Sequence, residues 1–268
     1  MVLNMSEKYS FIENITFPES LFELGQHLGL STIKASQARW KILTDEVLSF
    51  YRIDQLERLE SLLDWYYNQQ KFAQSDDDYF AAKSLDSGVV LRERRGTSLS
   101  LGILIQALGK HLDLEVELLL LPSDAVIAME YKDSFYYFSA LDGQPLSLHQ
   151  LHCLVRAEDG NSAPMSDDYF IPASEDEILL RLLGDLKSSA LAYKEFELSF
   201  EICSILIEWQ GREISWLRER AFMAQQLGCI DFACAELEDV LELDPHDPLQ
   251  EIVKYHLYEM KQQYNIFH

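Results

Sequence analysis

The chain has 268 residues, and 48% of them are hydrophobic, which favours two compact domains with proper cores over a disordered protein. Its formal net charge of −23 produces a surface that repels phosphate backbones, so binding to nucleic acid is excluded as a main activity. The same charge favours basic protein segments as partners.

The sequence also limits the cellular compartment. The first residues, MVLNMSEKYSFIENITF, contain no basic segment followed by a long apolar stretch, so we expect no secretory signal. The longest strongly apolar run, Leu118–Leu121, is far shorter than the roughly 20 residues of a membrane-spanning helix, which predicts no membrane partner. The four cysteines form no Cys-x-x-Cys pair, which predicts free thiols in a cytoplasmic protein.

Residues 19–72 have the apolar spacing of helices. The segment SLFELGQHLG ends at Gly29, Ser31 or Thr32 can cap a second helix, and Asp54 can cap a third. The following QSDDDYF interrupts the pattern. Its three aspartates lack the glycine-punctuated spacing of a calcium loop, so we interpret them as a solvated acidic loop.

Helical spacing returns at residues 97–110, where Thr97 or Ser98 can cap the start of the helix. Gly102 lies in the middle of this helix and costs about 1 kcal/mol relative to Ala, which indicates close packing of the helix backbone. Two strands follow, AVIAMEY and SFYYFSA, and the polar residues between them predict a β-hairpin. A turn at LDGQPLS and a short helix capped by Ser147 complete this region.

Residues 157–174 contain glycine, asparagine, serine and two prolines, and they predict a linker. The rest of the chain is helical in pattern. Within it, SWLRERAFMAQQLGCIDFACAELEDVLELDPHDP has small residues at Ala221 and Ala233 and a proline, Pro245, at its exit, which is typical of a tetratricopeptide repeat. We predict one good repeat, a poor one before it and a capping helix at 249–263, with an ordinary helical hairpin as the alternative.

The C-terminal helices carry a large excess of negative charge. From residue 174 to residue 262 there are nineteen acidic and eight basic residues. Repeat helices usually bind extended segments in a concave groove. We therefore predict a basic or amphipathic protein or peptide partner that binds through these helices and is released by salt.

The segment from DDDYF through VVLRERRGTSLSLGILIQALGKHLDLEVE resembles the invasion-regulator SirB-one family. Members of that family carry an RRG-x-P-x-SLS-x-L segment in a transglutaminase-like core, followed by tetratricopeptide repeats. The resemblance implies an α+β, mostly helical fold: a helical N-terminal segment, a papain-like core with a small antiparallel sheet, and C-terminal tetratricopeptide-like helices. The corresponding domains are residues 1–156, a linker at 157–174, and residues 175–268.

The resemblance also implies where catalytic groups would lie. Enzymes with this core use a cysteine at a helix N-terminus, where the helix dipole stabilises the thiolate, with a histidine and an aspartate on neighbouring strands. In this chain those places hold serines and one aspartate: Ser98, Ser100, Ser123, Asp124 and Ser139. None of them supplies a thiolate or an imidazole. We therefore predict a non-catalytic bacterial interaction or regulatory scaffold that needs no cofactor.

The alternative is a hydrolase or acyltransferase whose site is rebuilt around Ser98, Ser100 and Asp124. A hydroxyl needs a base within hydrogen-bond reach to act as a nucleophile, and a carboxylate is a weak base. His111, the nearest histidine in the sequence, lies about 16 Å from Ser100 along the helix at 1.5 Å per residue, which is too far for it to act as that base. We therefore interpret the two serines as helix-capping and packing residues.

Two further clusters are candidate binding groups. His149, His152 and Cys153 lie three and four residues apart, as zinc ligands on one helix face do, but no fourth ligand is evident. Arg94 and Arg95 are suited to hold an anionic group. We instead expect these arginines to pair with carboxylates of this acidic chain, while Gly96 supplies a backbone conformation that other residues resist.

Overall fold

The structure is a computed structural model, and it describes residues 9–12, 15–76, 79–160, 166–244, 246 and 248–267. The chain forms two compact units. The first, which we call the core unit, is Asn14–Leu182, and the second, which we call the repeat unit, is Leu183–His268 together with Met1–Glu13. The domain bounds expected from the sequence, with a linker at 157–174, stay a prediction.

The core unit begins with three helices, as the spacing of residues 19–72 predicts. They are Glu19–His27 (α1), Ile33–Val47 (α2) and Gln55–Asp64 (α3), and α3 continues as a π-helical turn at Trp65–Gln69. The Asp54 carboxylate accepts the N–H groups of Leu56 and Glu57, so it caps α3 as predicted.

Arg58 on α3 is a buried cation. Its guanidinium donates to the carbonyl oxygens of Arg52, Ile53 and Leu112, at 2.5, 3.1 and 2.6 Å. It also lies 3.8 Å from the centre of the Tyr51 ring. Because Leu112 is 54 residues away along the chain, this one side chain joins the loop between α2 and α3 to a distant part of the core unit.

The segment after residue 72 contains two helices that the sequence analysis did not predict. These are Ala82–Leu85 (α4) and Ser87–Glu93 (α5). Two short strands lie on either side of them, and Ala73–Gln74 (β1) pairs in parallel with Arg95–Gly96 (β2). The predicted acidic loop QSDDDYF is only partly covered, since residues 77 and 78 lie outside the described residues.

Helix Ser98–Lys110 (α6) is buried and packs on an antiparallel sheet. The strands are neighbours in chain order: Glu117–Leu120 (β3), Ala125–Tyr131 (β4), Ser134–Ser139 (β5) and Pro145–Leu146 (β6). The predicted hairpin is β4 and β5, with Lys132 and Asp133 at positive φ in its turn. Gly102 allows α6 to approach the sheet, because a Cβ atom there would lie 2.9 Å from Leu118 Cδ2.

Helix Leu148–Asp159 (α7) follows the sheet and is capped by Ser147, as predicted. The Ser147 hydroxyl accepts the Gln150 N–H, and the two residues form a capping box. Leu151 and Val155 of α7 lie in a buried cluster with residues of β3 and β4. The fold class predicted from the resemblance, α+β and mostly helical with a small antiparallel sheet, is thereby confirmed.

The repeat unit is helical in its described C-terminal part. Its helices are the C-terminal part of Glu175–Ala192 (α8), Phe196–Gln210 (α9), Ile214–Gln226 (α10), Ile230–Leu243 (α11) and Gln250–Phe267 (α12). The predicted small residues Ala221 and Ala233 lie in one buried cluster that α10, α11 and α12 share. The predicted capping helix corresponds to α12, and Pro245 lies outside the described residues.

Candidate functional site

The start of α6 is buried, and the Ser100 hydroxyl is used in hydrogen bonds there. Thr97 caps the helix and accepts the Ser100 N–H at 3.2 Å. The Ser100 hydroxyl accepts the Thr97 N–H at 2.9 Å and donates to the Ser84 carbonyl oxygen at 2.8 Å. Ser100 is 0% exposed, so its oxygen has no access to solvent.

Ser98 joins α6 to the sheet. Its Oγ accepts the N–H of Ala125, the first residue of β4, at 3.1 Å, and the residue is 3% exposed. Within the described part of the chain, neither Ser98 nor Ser100 is hydrogen-bonded to Asp124, to a histidine or to a cysteine. The hydrolase or acyltransferase site around Ser98, Ser100 and Asp124 would therefore consist of two buried hydroxyls that are not hydrogen-bonded to a base.

The other two candidate positions lie at strand ends, Ser123 before β4 and Ser139 as the last residue of β5. Ser123 is exposed in the turn before β4. Ser139 Oγ accepts the Leu141 N–H at 3.2 Å, and Tyr67 donates from its hydroxyl to the Ala140 carbonyl oxygen at 2.5 Å. Ser139 therefore stabilises the turn after β5.

Gly96 is required for space and not for an unusual backbone angle. A Cβ atom on it would lie 2.5 Å from Ser100 Oγ and 3.2 Å from the two methyl groups of Val90. The residue at positive φ in this turn is Arg94, with φ +57°, which ends α5 in the left-handed conformation. The expectation that Gly96 supplies a backbone conformation other residues resist is corrected in this way.

Arg94 and Arg95 hold the same turn against the end of the N-terminal helices. Arg94 donates to the carbonyl oxygen of Gln70 at 2.7 Å, and Arg95 donates to that of Lys71 at 2.9 Å. The carboxylate partners expected for them are thus replaced by backbone carbonyls, because β1 and β2 bring the two segments together. Both arginine side chains are exposed, and their role as an anion site stays a prediction.

The candidate metal ligands lie on α7. The Cys153 sulfur is 3.8 Å from His149 Nε2, and both residues are exposed, while His152 is half-buried. No group of three or more His, Cys, Asp or Glu residues that could hold a metal ion occurs among the residues that the structure describes.

Asp86 is a buried carboxylate that the sequence analysis did not single out. It caps α5, accepting the Val89 N–H at 2.7 Å, and burial raises its pKa above the ordinary value despite that hydrogen bond. Its neighbour across the helix contact is Gly25 of α1, where a Cβ atom would lie 2.1 Å from Asp86 Oδ2. An Asp before Ser-Gly-Val-Val is a helix-capping signal, which could have identified both Asp86 and α5.

Comparison with known families accounts for both units. A family model described as the transglutaminase-like superfamily matches residues 33–184. The chain belongs to the transglutaminase-like superfamily. A tetratricopeptide repeat model matches residues 186–257, which cover most of the helices of the repeat unit.

Several bacterial proteins are similar to this transglutaminase-like chain over most of their length. Protein SirB1 of Salmonella typhimurium is 25% identical over 203 residues, 75% of this chain and 76% of its own. The UPF0162 protein YchA of Escherichia coli strain K12 is 24% identical over 213 residues, 79% of each chain. These relatives confirm the resemblance to the SirB-one family. No solved structure matches the chain significantly.

The comparisons support two general statements about a transglutaminase-like chain with these repeats. Tetratricopeptide repeats indicate protein–protein interaction in general. Their combination with a transglutaminase-like core supports a regulatory or scaffold role. Among the described residues, no helix has both the length and the apolar character needed to cross a membrane.

Proposed function

We propose that this protein is a non-catalytic interaction scaffold, in which the transglutaminase-like core keeps its fold without its chemistry. The observation that carries the proposal is the use of both hydroxyls at the start of α6. Ser98 Oγ accepts a strand amide, and Ser100 Oγ belongs to a capping box. A serine nucleophile needs a base in hydrogen-bond contact and access for a substrate, and these buried hydroxyls have neither in the described structure.

The partner is a basic or amphipathic protein segment that binds the repeat unit. Many basic side chains of this unit are already paired with its own carboxylates, for example Arg220 with Glu236 at 2.6 Å and Lys261 with Glu238 at 2.5 Å. The acidic residues in excess therefore determine the charge that a partner meets. The free thiols and the acidic surface fit a cytoplasmic scaffold of this kind.

A labelling experiment separates the scaffold from the alternative, a hydrolase or acyltransferase built around Ser98, Ser100 and Asp124. The intact protein is treated with a fluorophosphonate probe, which reacts with activated serines, and its peptides are analysed by mass spectrometry. We expect no adduct on Ser98 or Ser100, because neither hydroxyl is bonded to a base. An adduct on either serine that disappears in the corresponding alanine variant would overturn the proposal.

The partner is tested by its dependence on salt. Proteins captured from a bacterial lysate on the immobilised chain should elute between 0.1 and 1 M salt, where the Debye length falls from about 10 to about 3 Å. A variant with several exposed acidic residues of the repeat unit changed to Asn or Gln should capture less of the same partner. A partner that remains bound equally well in molar salt would contradict its basic character.

A further inference from the structure

The outer face of α12 is apolar and open to solvent. Ile252, Tyr255 and Tyr258 are 64%, 63% and 62% exposed. The opposite face carries Val253 and Met260, which are buried in the cluster shared with α10 and α11. We call Ile252, Tyr255, Tyr258 and the two glutamates beside them, Glu251 and Glu259, the α12 face.

Comparison of α12 with α10, one repeat earlier, shows which contact α12 does not make. A tetratricopeptide repeat is 34 residues long, so Tyr255 and Tyr258 occupy the places that Ala221 and Ala224 hold in α10. Those alanines are buried in the cluster where α10 meets α11. In the described residues no helix covers the equivalent places on α12, and they carry large aromatic side chains instead of alanines.

An ordinary end cap does not account for this composition. The terminal helix of a repeat array normally turns a polar outer face to solvent, because an apolar one lowers solubility. Here three large apolar or aromatic side chains lie within one surface of α12. Aromatic residues of this kind dominate the binding energy of protein interfaces.

The charges on the α12 face select the partner. The Glu251 side chain is 85% exposed and pairs with Lys254 one turn further along α12 at 3.0 Å, and Glu259 accepts a hydrogen bond from the Tyr255 hydroxyl at 2.6 Å. Both glutamates are four residues from Tyr255, so a second copy of α12 crossing at Tyr255 in the antiparallel direction would place Glu251 of one copy against Glu259 of the other. This repulsion disfavours a homodimer and favours a helix with basic residues beside its apolar stripe.

We propose that the α12 face is the docking site for an amphipathic helix of a partner protein, which contacts α12 as α11 contacts α10 and bears basic residues that meet Glu251 and Glu259. The inference rests on the proposed function and assigns the partner to a particular face of the repeat unit.

A designed peptide tests the inference on the intact chain. The probe is a fluorescein-labelled copy of residues 230–243 with Cys234 changed to Ser and with every Asp and Glu except Glu236 changed to Lys, because this segment already has the apolar spacing that α10 accepts. Glu236 is kept because it binds Arg220 of α10, whose place on α12 is held by Lys254. Binding is measured by fluorescence anisotropy, with a scrambled peptide of the same composition as the control. We expect the probe to bind, and the variant Tyr255→Glu/Tyr258→Glu to bind it at least about tenfold more weakly, which corresponds to about 1.4 kcal/mol.

Two matched variants distinguish the possible outcomes. Phe222→Glu on the exposed side of α10 should leave the affinity unchanged, and Glu251→Lys/Glu259→Lys should weaken binding of the lysine peptide and strengthen binding of the unaltered acidic copy. If Phe222→Glu abolishes binding and the tyrosine variant does not, the partner binds another face; the inference then fails while the proposed function stands. Binding no tighter than that of the scrambled peptide, or a dimer in sedimentation velocity that the tyrosine variant dissociates, would also overturn it.

Discussion

The two serines at the start of α6 should contribute unequally to stability, although both are buried. In Ser98→Ala the Ala125 N–H loses its acceptor and is left in the interior, which costs about 1–3 kcal/mol. Ser100→Ala removes a hydroxyl that bonds the Thr97 N–H and the Ser84 carbonyl oxygen. These two groups also bond each other at 3.2 Å, so each of them keeps a partner. The loss is then that of one cap, about 1 kcal/mol.

The comparison needs a signal from the core unit alone, because a chain of two units need not unfold in one step. Trp209 and Trp216 belong to the repeat unit and are changed to Phe in the parent protein. Urea unfolding is then followed by the fluorescence of Trp40 and Trp65, which are buried in the core unit. The exposed Ser123→Ala serves as the control and should change the free energy of unfolding by less than about 0.5 kcal/mol.

The order of the two effects is the decisive result. We expect Ser98→Ala to destabilise the core unit more than Ser100→Ala, with neither variant abolishing partner binding. The reasoning from buried donors is refuted if Ser98→Ala costs no more than Ser123→Ala, or if Ser100→Ala costs more than Ser98→Ala. Loss of function in a variant that folds normally would instead favour the enzyme hypothesis.

Two further predictions concern titratable groups. In the native protein a thiol reagent should modify the exposed Cys153 and Cys229 quickly and Cys203 slowly, since burial raises the pKa of the Cys203 thiol to about 12. Titration of the unfolded, unreduced chain should count four thiols, and a count of two or fewer would contradict a cytoplasmic protein. Because the folded-state pKa of Asp86 is raised, its contribution to stability is greatest below the unfolded-state value of 3.8 and is lost as the pH rises through the folded-state pKa. The difference in unfolding free energy, Asp86→Asn minus the unchanged protein, should therefore increase as the pH rises over that range. A difference that stays flat or decreases would contradict a raised pKa of Asp86 in the folded state.

Features that depend on neighbouring residues could be predicted from the sequence. The polar pair Lys132–Asp133 between two apolar segments indicates a hairpin, and Asp54, Thr97 and Ser147 each precede a helical pattern that they do cap. These signals are local, because a cap or a tight turn is formed within a few residues.

Features that depend on distant residues were not predicted. Helices α4 and α5 were missed for a local reason: both are too short to show an apolar period, and Gly88 weakens the helical signal of α5, so that only its cap Asp86 marks it. The carbonyl partners of Arg94 and Arg95 lie 24 residues away and are reached only because β1 pairs with β2. For the same reason the acceptor role of Ser98 towards Ala125 is visible only after the sheet is placed beside α6.

The carbonyl oxygens that surround Arg58 have a consequence for how this protein can evolve. A chain that lost the N-terminal helices would leave the Leu112 carbonyl oxygen without its donor, and one that kept Arg58 without residue 112 would bury a cation short of an acceptor. Recombination at a point between these two residues therefore penalises both fragments. The N-terminal helices are accordingly a part of the core unit on which its stability depends, and we expect a chain that lacks them to be destabilised at Leu112.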